Sequence, residues 1–97
     1  MSKLFYVYIL ANTHNTTLYI GMTNDIKRRV YEHKAHLNTG FTHKYNVEKL
    51  VWYSIFSDAN SAILKEKQLK KWNRKWKERI INEMNPEWKD LSEGWYE

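Results

Sequence analysis

Tyr6-Val7-Tyr8 is followed after ten residues by Tyr19-Ile20-Gly21, and then by Arg29 and His33, four positions apart. A phenol can give or take a proton, a guanidinium can brace a phosphate, and an imidazole titrates near neutrality. Together these groups suit the activation of water and the stabilisation of charge on a phosphodiester. Farther along, Glu66 adds a carboxylate of the kind that holds a hard divalent cation.

For this chemistry to work, the backbone must bring the four segments together. Leu4–Leu10 and Thr17–Gly21 are aromatic and β-branched and flank the polar stretch Ala11–Thr16, so a β-hairpin is expected. Alternation puts Tyr6 and Tyr8 on one face and Phe5, Val7 and Ile9 on the other. Tyr19 shares a face with Gly21, whose missing side chain permits a close backbone approach or a bend. Thr23-Asn24-Asp25 supplies capping residues for a helix from about Asp25 to Leu37. Its inward stripe would be Ile26, Val30, His33 and Leu37, with Arg29 bordering the same edge as the i−4 neighbour of His33.

Glu66 is expected on a second helix, capped by Ser57-Asp58 and running to Trp72, with Ala59, Ala62, Ile63, Leu69 and Trp72 as its apolar positions. The row Ala62-Glu66-Leu69 sets a carboxylate in an inward stripe. Burying an ionised carboxylate is costly without a partner. A bound cation would serve, and so would a structural Arg29–Glu66 ion pair. Tyr8 and Tyr19 likewise have a plainer reading as strand aromatics, Arg29 as one charge of the solvated run Lys27-Arg28-Arg29, and His33 as a satisfied histidine.

These residues at these spacings resemble the GIY-YIG nuclease superfamily, which includes phage homing endonucleases and the N-terminal nuclease domain of the bacterial excinuclease. The chain is most similar to the small single-domain bacterial members. The resemblance runs from Leu4 to Trp88, with Ala62–Lys70 matching the family's glutamate-bearing helix. Two departures are visible: Tyr6 stands where the first motif has Gly, and the late active-site Asn has two candidates, Asn73 and Asn82. The resemblance implies a metal-dependent endonuclease acting on DNA, in work such as DNA repair, with RNA as a second candidate polymer. It implies a catalytic set of Tyr8, Tyr19, Arg29, His33 and Glu66. Glu66 would hold one divalent cation, Mg²⁺ or Mn²⁺, and Tyr8 or Tyr19 would take the proton of the attacking water. Arg29 would brace the phosphate and favour phenolate, and His33 would orient a tyrosine or the water. An alternative is a non-catalytic nucleic-acid-binding module of the same fold; a third class is an adaptor that docks an acidic partner on the basic helices.

Composition agrees with one small domain over residues 1–97, with 85–97 an acidic C-terminal tail. The expected class is α/β, a small three-stranded mainly antiparallel sheet flanked by helices, with the third strand at Lys49–Phe56. The chain has no Cys, which excludes disulfides and thiolate metal sites and fits a reducing compartment. Leu4–Ala11 is too short and too aromatic for a membrane span, so a cytoplasmic protein is expected. Residues 1–84 carry fifteen Lys and Arg against seven Asp and Glu, whereas 85–97 carry one against four. That asymmetry suits a phosphate backbone, and Lys27, Arg28, Lys44, Lys70, Lys71 and Arg74 are the candidate contacts; a solvated basic face is the plainer reading. Without a separate recognition module, cleavage would be structure-selective rather than sequence-specific.

The polar, glycine-containing stretch Asn38–Asn46 is expected to be a loop, with His43, Lys44 and Tyr45 in reach of substrate. Asn73 would cap a last helix, Arg74–Met84, with Trp76, Ile80 and Met84 on its apolar face and Pro86 beyond its end. Trp88, Leu91 and Trp95 would dock the tail.

Overall fold

The computed structural model describes residues 3–37 and 40–97, with Phe41 described by its backbone alone. In chain order the elements are β1 (Phe5–Ala11), β2 (Leu18–Thr23), α1 (Ile26–Lys34), α2 (Phe41–Tyr45), β3 (Lys49–Phe56), α3 (Ala59–Lys71) and α4 (Arg74–Met84). The fold is α/β, and its sheet is antiparallel throughout, in the order β2-β1-β3. Central β1 is covered on both faces, so Val7–Ala11 are buried without interruption.

Strand alternation separates two cores. Val7, Ile9 and Ala11 pack with Ile20, Val51, Trp52, Ala62, Leu69 and Ile81 on the side of α3 and α4. Tyr8 and Leu10 pack with Ile26, Val30, Val47 and Leu50 on the side of α1, and Tyr6, Tyr19, Tyr53, Leu91 and Trp95 border them. A bulge at the Ile9/Leu10 step shifts the pairing with β3 from Ile9↔Trp52 to Leu10↔Leu50.

Local signals set the helix starts. Asp25, Asp58 and Asn73 each accept a backbone N–H from their own first turn, from Arg28, Ser61 and Trp76 respectively. Three expectations need correction. α1 stops at Lys34, and Leu37 is 64% exposed rather than part of the inward stripe. The stretch after α1 is not all loop: residues 41–45 form α2, closed by Asn46 in the left-handed conformation (φ 54°). Asn38 and Thr39 of that expected loop lie outside the described residues. On α4 the buried residue is Ile81, while Trp76 and Met84 are exposed, because the face meeting the sheet is rotated by one position.

The tail docks through its apolar residues and Asp90. That carboxylate accepts from the Leu50 and Ser92 backbone N–H groups and the Ser92 hydroxyl, and pairs with Lys34 of α1. Burial acts upward on the Asp90 carboxyl, yet the bonds from Lys34 and Ser92 hold it below its ordinary range. Among the described residues no helix is long and apolar enough to cross a membrane.

Candidate active site

Tyr8 pairs with Gly21 across the β1–β2 ladder. Its ring lies over that glycine so closely that a Cβ on Gly21 would overlap the phenol carbon and hydroxyl. Gly21 therefore makes room for the ring of Tyr8, which is the close approach expected of a strand glycine. The ring continues toward α1, where the Tyr8 hydroxyl lies 3.2 Å from His33 Nε2. On its other side His33 Nδ1 lies 2.9 Å from Thr42 Oγ1, and both residues are buried. Tyr19 completes an aromatic triangle, with ring centres 6.3 Å from Tyr8 and 5.4 Å from His33.

Thr42 was invisible to sequence reasoning. It sits in α2, in a stretch expected to be loop, and its partner is nine residues away. Only the folding of α2 against α1 turns this threonine inward, and the bond it makes fixes the imidazole's orientation.

Electrostatics correct one expectation about the phenols. Burial pushes the Tyr8 hydroxyl far above its ordinary pKa, and Tyr19 adds to the shift. Arg29 works the other way through its charge and a hydrogen bond, while Glu66 is near enough to disfavour the phenolate. The surroundings thus keep Tyr8 protonated rather than favouring its phenolate. Burial, followed by the charge of Arg29, lowers the pKa of His33, which biases the imidazole toward its neutral form.

The five residues of the expected catalytic set come from four elements, with Tyr8 on β1, Tyr19 on β2, Arg29 and His33 on α1, and Glu66 on α3. α3 packs on the opposite face of the sheet from α1, so Glu66 reaches Tyr8's field from the other layer. An Arg29–Glu66 ion pair is not formed. Glu66, its side chain 21% exposed, pairs with Lys70 at 3.2 Å, and Arg29 lies 3.2 Å from Glu32. The Arg29 Nε is buried without a well-aligned hydrogen bond, leaving this guanidinium short of a full partner set.

Among the described residues no group of three or more His, Cys, Asp or Glu side chains is placed to hold a metal ion. A divalent ion here would therefore rest on Glu66, water and a substrate phosphate. The carboxylate fits that role, being half-sheltered on the inner row of α3 and already facing a cation, Lys70.

A shallow groove of about 310 Å³ follows β2 between Leu18, Tyr19 and Ile20 and the lysines Lys70 and Lys77. It joins a site tyrosine to two ammonium groups. A larger hollow of about 700 Å³ runs along α4 past Trp76 and Asn82. Its walls mix Lys75 and Arg79 with Glu78 and Glu83 and include none of the tyrosine-site residues, whereas the smaller groove borders Tyr19.

The basic candidates are not equivalent. Arg74 bonds Glu78 at 2.9 Å and the backbone carbonyls of Asn15 and Thr16, tying α4 to the β1–β2 turn. Lys27, Arg28, Lys44, Lys70 and Lys71 are exposed, although Arg28 lies 3.9 Å from Glu32. Of the two Asn candidates, Asn73 caps α4 and Asn82 accepts from Trp88 Nε1, so both have structural work.

Residues 4–79 match the family described as the GIY-YIG catalytic domain. A UPF0213 protein of Haloquadratum walsbyi is 31% identical over 83 residues, covering 86% of this chain and 92% of the relative. A UPF0213 protein of Natronomonas pharaonis is 34% identical over 81 residues, covering 84% and 94%. The solution NMR structure of a UPF0213 protein from Bacillus halodurans shares the fold, with a TM-score of 0.58 at 24% identity over 94% of this chain and 97% of that one.

Proposed function

The chain belongs to the GIY-YIG catalytic domain family, a nuclease family, and from that premise we propose that it is a metal-dependent endonuclease that hydrolyses phosphodiester bonds in DNA. The observation that supports the reading is the cluster of Tyr8, Tyr19 and His33, distant in sequence, with Arg29 and the charge of Glu66 both acting on the Tyr8 hydroxyl and a lysine-lined groove beside Tyr19.

Exposure divides the labour between the tyrosines. Tyr8 is fully buried and held protonated, whereas Tyr19 is half-buried and borders the groove. Tyr19, as phenolate, takes the proton of the attacking water. Tyr8 is the inner donor: with Nδ1–H of neutral His33 given to Thr42, Nε2 is bare to accept the Tyr8 hydroxyl. Arg29, whose Nε lacks a well-aligned hydrogen bond, braces the scissile phosphate as negative charge builds on it. A divalent ion held by Glu66, Mg²⁺ or Mn²⁺, would supply charge stabilisation at the phosphate and the leaving oxygen. Lys70 and Lys77 hold the strand in the groove through its phosphates, a contact blind to base sequence. Structure-selective cutting is the matching specificity.

Incubating the protein with plasmid, single-stranded, branched and RNA substrates, in Mg²⁺, Mn²⁺ or EDTA, tests the reading. Cleavage that needs metal and disappears in Glu66→Ala is expected. Salt-dependent binding with no cutting on any substrate would instead favour the binding module of the same fold.

A further inference from the structure

The docking of α4 leaves one large ring outside the core. Ile81 is buried and Ile80 packs beside it, while Trp76 stands 50% exposed. An indole left in water forgoes its hydrophobic burial, and the proposed reaction does not use it.

Trp76 is nevertheless held in place. Its ring centre lies 5.9 Å from that of Trp72, which packs against the core where α3 ends. Lys65 Nζ lies 5.2 Å from the Trp72 ring centre, and the Arg79 guanidinium 5.6 Å from that of Trp76. Both cations are within reach of the attraction to a π-face, so the order along this ridge is lysine, indole, indole, arginine. Trp76 also walls the hollow of about 700 Å³ on α4, between Lys75 and Arg79, and a hollow of that size takes a planar ligand.

Charge decides what such a surface meets. From Lys65 to Arg79 the chain carries eight Lys and Arg against two Glu. The carboxylates nearest in sequence on α4 are engaged, Glu78 with Arg74 at 2.9 Å and Glu83 with Arg79 at 3.7 Å. A partner that satisfies both the positive charge and the indole must carry phosphates and flat π-faces on one chain. Duplex DNA keeps its base faces inside the stack, and an acidic peptide offers carboxylates without a ring. Unpaired nucleotides offer both groups.

We infer that Trp76, backed by Trp72 and flanked by Lys75 and Arg79, is a stacking platform for the unpaired bases of single-stranded DNA. Lys77, the next residue, lines the groove beside Tyr19, so the platform adjoins the path proposed for the substrate strand. A base seated on this indole favours substrates with a single-stranded stretch, whatever their sequence, because every base has a π-face. The inference rests on the nucleic-acid reading above but not on cleavage.

The test is fluorescence anisotropy of the full chain in EDTA with three labelled probes: oligothymidylate, an abasic strand with the same backbone, and a blunt duplex. Wild type should bind oligothymidylate more tightly than the abasic strand. Trp76→Ala should weaken oligothymidylate binding by about ten-fold, the scale of one stacked base, and leave the salt slope and the other two affinities unchanged. Trp76→Phe keeps a flat ring and should recover most of the loss. A Trp76→Ala protein that loses affinity equally for all three probes, or for none of them, would overturn the platform and leave the nucleic-acid reading standing. A wild type that binds none of the DNA probes would overturn that reading as well, and binding of polyglutamate in its place would mark the face as a dock for an acidic protein.

Discussion

The hydroxyl of Tyr8 and Nε2 of His33 stand 3.2 Å apart in a buried contact that links the central strand to α1. Both groups are shifted toward their neutral forms, Tyr8 chiefly by burial and then by Tyr19, His33 by burial and then by Arg29. Stability should therefore fall at both ends of the pH range. The native state resists protonation of His33, so as pH drops below the unfolded value of about 6.5 the unfolded chain binds more protons and gains. It also resists deprotonation of Tyr8, so stability is lost as pH climbs above the unfolded value of about 10. Denaturant unfolding from pH 5 to 11 measures both arms. Tyr8→Phe should cost about 1 kcal/mol near neutrality, as one buried hydrogen bond is lost, and should flatten the alkaline arm. An alkaline arm unchanged by Tyr8→Phe would show that another group causes it.

Gly21 should be intolerant of even one added methyl. In Gly21→Ala the new Cβ would overlap the Tyr8 phenol, forcing the ring or the β1–β2 ladder to move at a cost of about 1–3 kcal/mol. The double variant Gly21→Ala with Tyr8→Ala should recover much of the Gly21 penalty, since the obstructing ring is gone. Melting curves of the four proteins measure the coupling, and strict additivity would contradict the close approach.

Much of this arrangement was legible in the residues. β3 at Lys49–Phe56 followed from its apolar and aromatic run, and the cap residues Asp58 and Asn73 marked the starts of α3 and α4. What escaped was tertiary. Ile80 and Ile81 are adjacent and equally apolar, so only the docking of α4 reveals that Ile81 is the buried one. α2 is five residues long and begins after a glycine, so its polar composition masked it. Thr42 and Arg74 owe their roles to partners brought near by folding, His33 for the one and the carbonyls of Asn15 and Thr16 for the other. The family's tyrosines, arginine, histidine and glutamate were visible as a set; the burial that distinguishes Tyr8 from Tyr19 was not.

The basic residues should separate by function. Changing Lys70 and Lys77 to Ala should weaken DNA binding and reduce its salt slope by about two units, roughly one per phosphate contact. Arg74→Ala should leave the slope unchanged and lower stability by about 1 kcal/mol, discounted for its partial exposure, because its bonds hold the β1–β2 turn. Fluorescence anisotropy across a salt series, paired with melting curves, reads both effects. A salt slope that responds to Arg74 and not to the lysines would place the strand elsewhere.

The most direct test is the single-turnover cleavage rate of wild type against Tyr19→Phe, in Mn²⁺ with the substrate that wild type cuts best. The variant keeps the ring and loses only the hydroxyl. Its rate should fall by about two orders of magnitude or more, the scale of a lost general base, with the protein still fully folded at the assay temperature. A Tyr19→Phe protein that cuts as fast as wild type would contradict the assignment of the water's proton to Tyr19.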